Sequence, residues 1–363
     1  MSPSVAAPEV GAKIVEWYSC IITYDREQAI LLKHDVQRMM NRMNHDDKVI
    51  AYFELVNFRH ELFIEADGEQ KQFADLELAD KATDEYMQFM YYFMYGQNEF
   101  HNGRYKSAVR SYKIAERLLE QVPDQIEKAE FYYRSAISYY RVDQYIFAVS
   151  YFEQALEIFE KNSEYEEIVL NIYIFLGGIS TELYKFEEAE NVLQNALKQA
   201  NEYPSTYALI LRALGLNRSK RNLINEAIIF FEKALSIPEH KESVIGIKTE
   251  FNLISSRIKQ DSQNEGFQQE LSKVEIKVTE LKLKEYEIRC KIIRGLYIYN
   301  SDKHIDEGLA ELERNELFFE ASELAEEVVN FFAAKDDHKT ALKYMRMAHR
   351  MRIHQSCIGV EQE

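Results

Sequence analysis

GLNRSKRNLINEAIIFFEKA, from Gly215 to Ala234, sets Gly215, Ala227, Phe231 and Ala234 at intervals of 12, 4 and 3 residues. The same intervals recur three times upstream. One copy runs Gly96, Ala108, Tyr112, Ala115; the next Ala136, Ala148, Phe152, Ala155; the third Gly177, Ala189, Leu193, Ala196. Unrelated amphipathic helices would not hold one phase through four copies. Small residues at fixed places let two antiparallel helices approach closely, and the bulky residue between the alanines fills the gap to the next hairpin.

This is the tetratricopeptide signature, here with a period of 38 to 41 residues against the usual ~34, so the helices or their connections are extended. Outward from the four copies the chain stays helical. Before them, Val10, Ile14, Trp17, Tyr18, Ile21 and Ile22 fall on one face of a first helix. Ala29, Leu32, Val36, Met39, Met40 and Met43 stripe a second, and Val49 to Phe63 a third. The polar turn Asn44-His45-Asp46-Asp47 supplies the N-cap of the third. The predicted fold is all-α: an N-terminal three-helix bundle (residues 1–65), a polar linker (66–72) and a tetratricopeptide-repeat superhelix (73–363). Beyond Pro238 the signature decays, and residues 260–266 are predicted as a loop. Ala341, Met345 and Ala348 restore the 4 and 3 spacing near the end, giving seven expected hairpins.

Composition agrees. With 12 Gly and 5 Pro in 363 residues, well under the roughly 12% average, turn chemistry is too scarce for an all-β fold. A net charge of −17 opposes binding to a nucleic-acid backbone, which needs clustered cations. Cys20, Cys290 and Cys357 show no disulfide or metal spacing, and neither a signal-peptide pattern nor an apolar run near 18 residues occurs. A cytoplasmic, soluble chain without membrane contact is expected. Phosphate-cradling glycine loops, His-Glu-x-x-His, a nucleophile elbow and Cys-x-x-Cys are missing, so no cofactor and no metal is expected. His60 reads as a solvated or core-edge histidine. On these grounds the chain is an interaction protein whose concave groove suits a peptide, with Tyr140, Asn171 and Arg212 among the residues placed there by helical phase.

Three strings carry a more specific resemblance. Glu16-Trp17-Tyr18, Tyr52-Phe53-Glu54-Leu55-Val56-Asn57-Phe58-Arg59-His60 and Ile126-Glu127-Lys128-Ala129-Glu130-Phe131 resemble strings of the Rap family of quorum-sensing regulators. That resemblance implies a response regulator as partner, docked on the bundle through Asp46, Ile50 and Phe58, and a short secreted peptide held in the repeat groove. Some members hydrolyse the regulator's aspartyl phosphate, notably in the phosphorelay controlling sporulation. Others mask a regulator's DNA-binding domain without catalysis, and a peptide-receptor scaffold is the further alternative. The family's catalytic glutamine, an amide placing water in line with the phosphoryl group, is matched here by Asp47. Its peptide-holding Asn, Asp and Asn are matched by Ile179, Glu182 and Ala213, which implies either a different peptide, held through Asn171, Arg212 and Asn217, or a chain insensitive to peptide.

Overall fold

The computed structural model describes residues 5–23, 25–64 and 85–356, arranged as two compact units, Met1–Glu166 and Glu167–Glu363. The expected linker, residues 66–72, lies outside the described residues. Among those residues no helix is long and apolar enough to cross a membrane.

In the first unit, α1 (Ala7–Ile22), α2 (Arg26–Met40) and α3 (Asp47–Ile64) form the predicted bundle. The six predicted apolar residues of α1 are all buried, as are Ala29, Leu32 and Val36 of α2. The ends follow from local chemistry: Asp25 accepts from the Gln28 amide at 3.0 Å and Asp46 from the Val49 amide at 3.0 Å, satisfying N–H groups that a helix start leaves open. Two hairpins follow, α4 (Glu85–His101) with α5 (Tyr105–Glu116), and α6 (Gln125–Arg141) with α7 (Tyr145–Phe159). The bundle does not close on a core of its own. Trp17, Leu55 and Val56 belong to the same apolar cluster as Phe89, Phe93, Tyr112 and Phe131 of the hairpins.

The second unit holds five hairpins: α8 (Glu166–Glu182) with α9 (Phe186–Gln199), α10 (Pro204–Lys220) with α11 (Ile224–Leu235), α12 (Val244–Gln260) with α13 (Glu265–Glu280), α14 (Lys284–Ile293) with α15 (Asp302–Arg314), and α16 (Phe318–Ala333) with α17 (His338–Ser356). Seven hairpins are therefore present among the described residues. A methyl group on Gly177 would stand 2.6 Å from the Leu193 side chain, and one on Gly215 would stand 2.5 Å from the Phe231 ring. These are the pairs picked out by the 12-residue plus 4-residue spacing. The sixth hairpin reverses the roles: a methyl group on Gly308 of the second helix would stand 2.5 Å from the Ile292 side chain of the first, which is why the spacing fails there. At the end the expected bulky residue is displaced. Met345 is 55% exposed, while the neighbouring Tyr344 is buried, stacked on Phe332 and hydrogen-bonded to Asp306 at 3.0 Å.

Glycine scarcity also finds its account. The first four hairpin turns place Gly103, Asp143, Tyr184 and Asn222 at positive φ. Only one is glycine, although an L-residue there costs roughly 1–2 kcal/mol.

Candidate functional site

The turn before α3 presents the residues expected to face a partner. Asp47 opens α3 with its side chain 77% exposed, and its Oδ1 lies 3.0 Å from Nε2 of His45, itself exposed. Asp46 is half-buried because its carboxylate caps the helix. Ile50 and Phe58 are half-buried, and Phe58 packs against the unit's core. The turn is thus an accessible, acidic helix start with one apolar residue, Ile50, a turn further on.

A second constellation was not foreseen: the three strings that carry the family resemblance meet in one buried place. Tyr18 of α1 donates to Glu127 Oε1 at 2.6 Å, and Tyr86 of α4 donates to Glu127 Oε2 at 3.0 Å. Arg59 of α3 pairs with Glu130, at exposures of 2% and 1%, and Arg134 Nε stands 3.5 Å from the same carboxylate. Trp17 Nε1 donates to His60 Nδ1 at 3.1 Å. That nitrogen must then be bare, and His60 is a buried core residue, not the solvated or core-edge one expected.

Burial pushes the Glu127 carboxyl up to about 7. The Tyr18 and Tyr86 hydroxyls oppose this, while Glu130 and Asp124 add to it. Burial likewise raises Tyr18 and Tyr86 well above the usual phenol range, with Glu127 adding to both. Four helices, α1, α3, α4 and α6, are thereby tied through two carboxylates three residues apart. The signal in the sequence was that Glu127 and Glu130 both fall within one of the strings that carry the family resemblance.

In the second unit, the predicted peptide contacts divide. Asn217 is 0% exposed; its Nδ2 donates to Thr181 Oγ1 at 3.1 Å and to the Phe186 carbonyl at 3.4 Å. It ties α10 to α8 and is not open to a peptide, which corrects the expectation for it. Ile179, 2% exposed, is core for the same reason of position on α8. Asn171, Arg212 and Ala213 are half-buried. The Arg212 Nε has no hydrogen-bond partner, and its charge adds to burial in lowering His240 to about 4. Tyr140 lies in the first unit, half-buried, with its ring 6.0 Å from Tyr145.

Glu182 does face other charges. It pairs with Lys220, and although burial works against the Lys220 ammonium, Glu182 and Glu323 together hold its pKa above the usual value. Arg289 reaches Glu323 at 2.6 Å and Glu285 at 2.8 Å, and Lys259 reaches Glu327 at 2.8 Å. The first helices of all five hairpins thus contribute to a compensated charged lining.

Residues 4–65, the α1–α3 bundle, match the family model described as response regulator aspartate phosphatase H, N terminal. Over 370 aligned residues, all of this chain, it is 42% identical to a Rhodococcus hoagii protein named type II methyltransferase M.CeqI, covering 71% of that protein. Among the described residues no strand occurs beyond an isolated Val5–Met43 bridge, so the parallel sheet on which α/β enzymes carry nucleotide-like cofactors has no counterpart in them. The chain is 27% identical to the regulatory protein RapG of Bacillus subtilis, over 85% of this chain and 87% of that one. Two solved structures share the fold at 24% identity. A Rap protein complexed with competence and sporulation factor superposes with a TM-score of 0.86 over 96% of this chain and 99% of its own. The apo form of RapI superposes with 0.69 over 95% and 97%.

Proposed function

The chain belongs to the Rap family, and on that premise we propose that it binds a phosphorylated response regulator through α1–α3 and hydrolyses its aspartyl phosphate slowly. A short signalling peptide, bound on the first helices of the second unit's hairpins, regulates it. The work is cytoplasmic, where receiver domains are phosphorylated.

The observation that carries this reading is the turn Asn44–Asp47. It lies within the segment that matches the phosphatase family, it is the accessible end of the bundle, and it holds polar groups at a helix start, where N–H groups and the helix dipole favour an approaching anion. Transfer of a phosphoryl group to water asks the protein mainly for positioning and charge compensation. Asp47 and His45 can orient a water, but the Asp47 carboxylate also repels the phosphoryl oxygens. Catalysis is therefore weaker than an amide at this position would give. The charged lining of the second unit suits a peptide carrying both signs of charge, since each lining charge already has an opposite neighbour to exchange.

The test is phosphate release from a phosphorylated receiver domain with this protein at one-tenth the receiver's concentration. Several phosphates released per molecule are expected. Tight binding with no release would replace hydrolysis by stoichiometric blocking, and no binding to receiver or DNA-binding domains would leave a peptide-receptor scaffold.

A further inference from the structure

We propose that Arg212 of α10 and Asn252 of α12 form a carboxylate subsite in the second unit, so that the peptide it takes carries an acidic group, on a side chain or at its C-terminus. This rests on the reading that the first helices of these hairpins take a peptide.

Arg212 is the exception in a lining otherwise compensated charge by charge. The other arginines of α10, α12 and α14 are each met by a carboxylate: Arg218 by Glu190, Arg257 by Glu270 at 3.0 Å and Arg289 by Glu323 at 2.6 Å. Arg212 pairs with no carboxylate among the described residues, and its Nε is buried without a hydrogen-bond partner. The groups that its charge reaches do not balance it. Burial and then Arg212 lower His240 to about 4, while burial raises the Tyr286 phenol against the opposing pull of Arg212, so both are neutral near neutral pH. A guanidinium partly withdrawn from water with no counter-charge costs stability. A carboxylate placed side-on relieves that cost, because it accepts from Nε and one Nη together.

Asn252 repeats the situation one hairpin further on. Its Nδ2 is also buried without a partner. It stands 40 residues after Arg212, the interval that separates Gly215 from Ser255. Ser255 in turn opens a fifth series at intervals of 12, 4 and 3 residues with Phe267, Leu271 and Val274, of which Leu271 and Val274 are buried. The two donors therefore occupy equivalent places on successive first helices. Two buried N–H groups with no protein acceptor, one of them charged, suit an oxygen-rich ligand with a negative charge. An extended peptide meets both, its carboxylate on Arg212 and a main-chain carbonyl on Asn252. Elsewhere in the lining an incoming charge must displace an existing partner; at Arg212 it displaces only water.

The test passes pools of random pentapeptides over the immobilised full chain and sequences what is retained. One pool contains Asp and Glu and has free C-termini; the second lacks Asp and Glu; the third lacks them and is amidated. With a net charge of −17 the chain as a whole repels acidic peptides, so a preference for them reports the subsite. Wild type should enrich acidic peptides from the first pool, or free C-termini over amidated ones, about tenfold more than Arg212→Gln does; the pool showing the effect identifies the source of the carboxylate. Arg212→Lys keeps the charge without the side-on pair of donors and should fall between. Asn252→Ala should retain less peptide with the acidic preference unchanged. Without peptide, Arg212→Gln should melt about 2–4 °C higher than wild type, because an uncompensated charge is gone. Retention of neutral or basic peptides only, or an equal acidic preference in Arg212→Gln, overturns the subsite and leaves the peptide-receptor reading standing. A lower melting temperature in Arg212→Gln assigns Arg212 to folding and overturns it too. Retention of no peptide by any of these proteins removes the peptide reading, and the subsite with it.

Discussion

Replacing Asp47 by glutamine should raise the rate of aspartyl-phosphate hydrolysis, and the structure sets the size of the gain. Two unit charges ~4 Å apart repel by about 1 kcal/mol in a water-like dielectric and about 4 kcal/mol at an effective dielectric of 20. The Asp47 side chain is 77% exposed, so the lower figure applies, and 1 kcal/mol is about a fivefold change in rate. His45, 3.0 Å from the Asp47 carboxylate, loses an anionic neighbour in the variant and keeps an amide oxygen to bond. Asp46 still caps α3, so the turn is retained. The assay is single-turnover release of phosphate from a phosphorylated receiver domain at saturating protein, which separates the chemical step from binding. A rate five times that of wild type is expected. An unchanged or lower rate would mean that the Asp47 carboxylate accepts a proton from water, or that the turn does not meet the phosphoryl group at all, and the repulsion account would be dropped.

Four further outcomes follow from the packing. Glu127, faced by Tyr18, Tyr52 and Tyr86 from the packed helices and by Glu130 and Asp124 on its own segment, titrates at about 7 in the folded unit and at about 4.5 when unfolded. A raised acid pKa contributes stability that is fully present below about 4.5 and is lost as pH rises through 7. Urea melts should show the first unit weakening between pH 5 and 8, and Glu127→Gln should flatten the dependence; an equal slope in both proteins would refute it. Gly215→Ala should destabilise by about 1–2 kcal/mol, because the new methyl meets Phe231 at 2.5 Å and overpacking outweighs the helix-propensity gain. Ala136→Gly, at the equivalent place in the second copy, should cost about 1 kcal/mol through propensity alone, and thermal melts compare the two. Asn217→Ala leaves Thr181 and the Phe186 carbonyl without their partner and should lower stability by about 1–3 kcal/mol with peptide affinity unchanged, as calorimetry would show.

Much of the fold was legible because repeats advertise themselves: the Gly177–Leu193 and Gly215–Phe231 approaches are pairwise constraints at fixed spacing, and spacing is what a sequence displays. The helix start at the Asn44–Asp47 turn was visible for a similar local reason. The site was less legible. The family resemblance suggested Asn217 as a groove residue, but an amide between two helices is indistinguishable in sequence from one facing solvent until its partners, Thr181 and the Phe186 carbonyl, are known. His60 misled in the same way, since its partner Trp17 is 43 residues distant. The buried polar cluster at Glu127 and Glu130 joins residues up to 109 positions apart, beyond any periodicity, although the strings containing its members were recognisable as words before their meeting point was.

The continuity of one apolar core from Trp17 to Phe131 carries a last consequence. A stacked array protects each unit only by its neighbours, so its terminal members need a cover with a polar outer side. The bundle is that cover for the leading hairpin. Without α1–α3, apolar residues of that shared cluster, among them Phe89, Met90 and Met94, would lose part of their cover, so a chain shortened by the bundle should self-associate where the full chain does not.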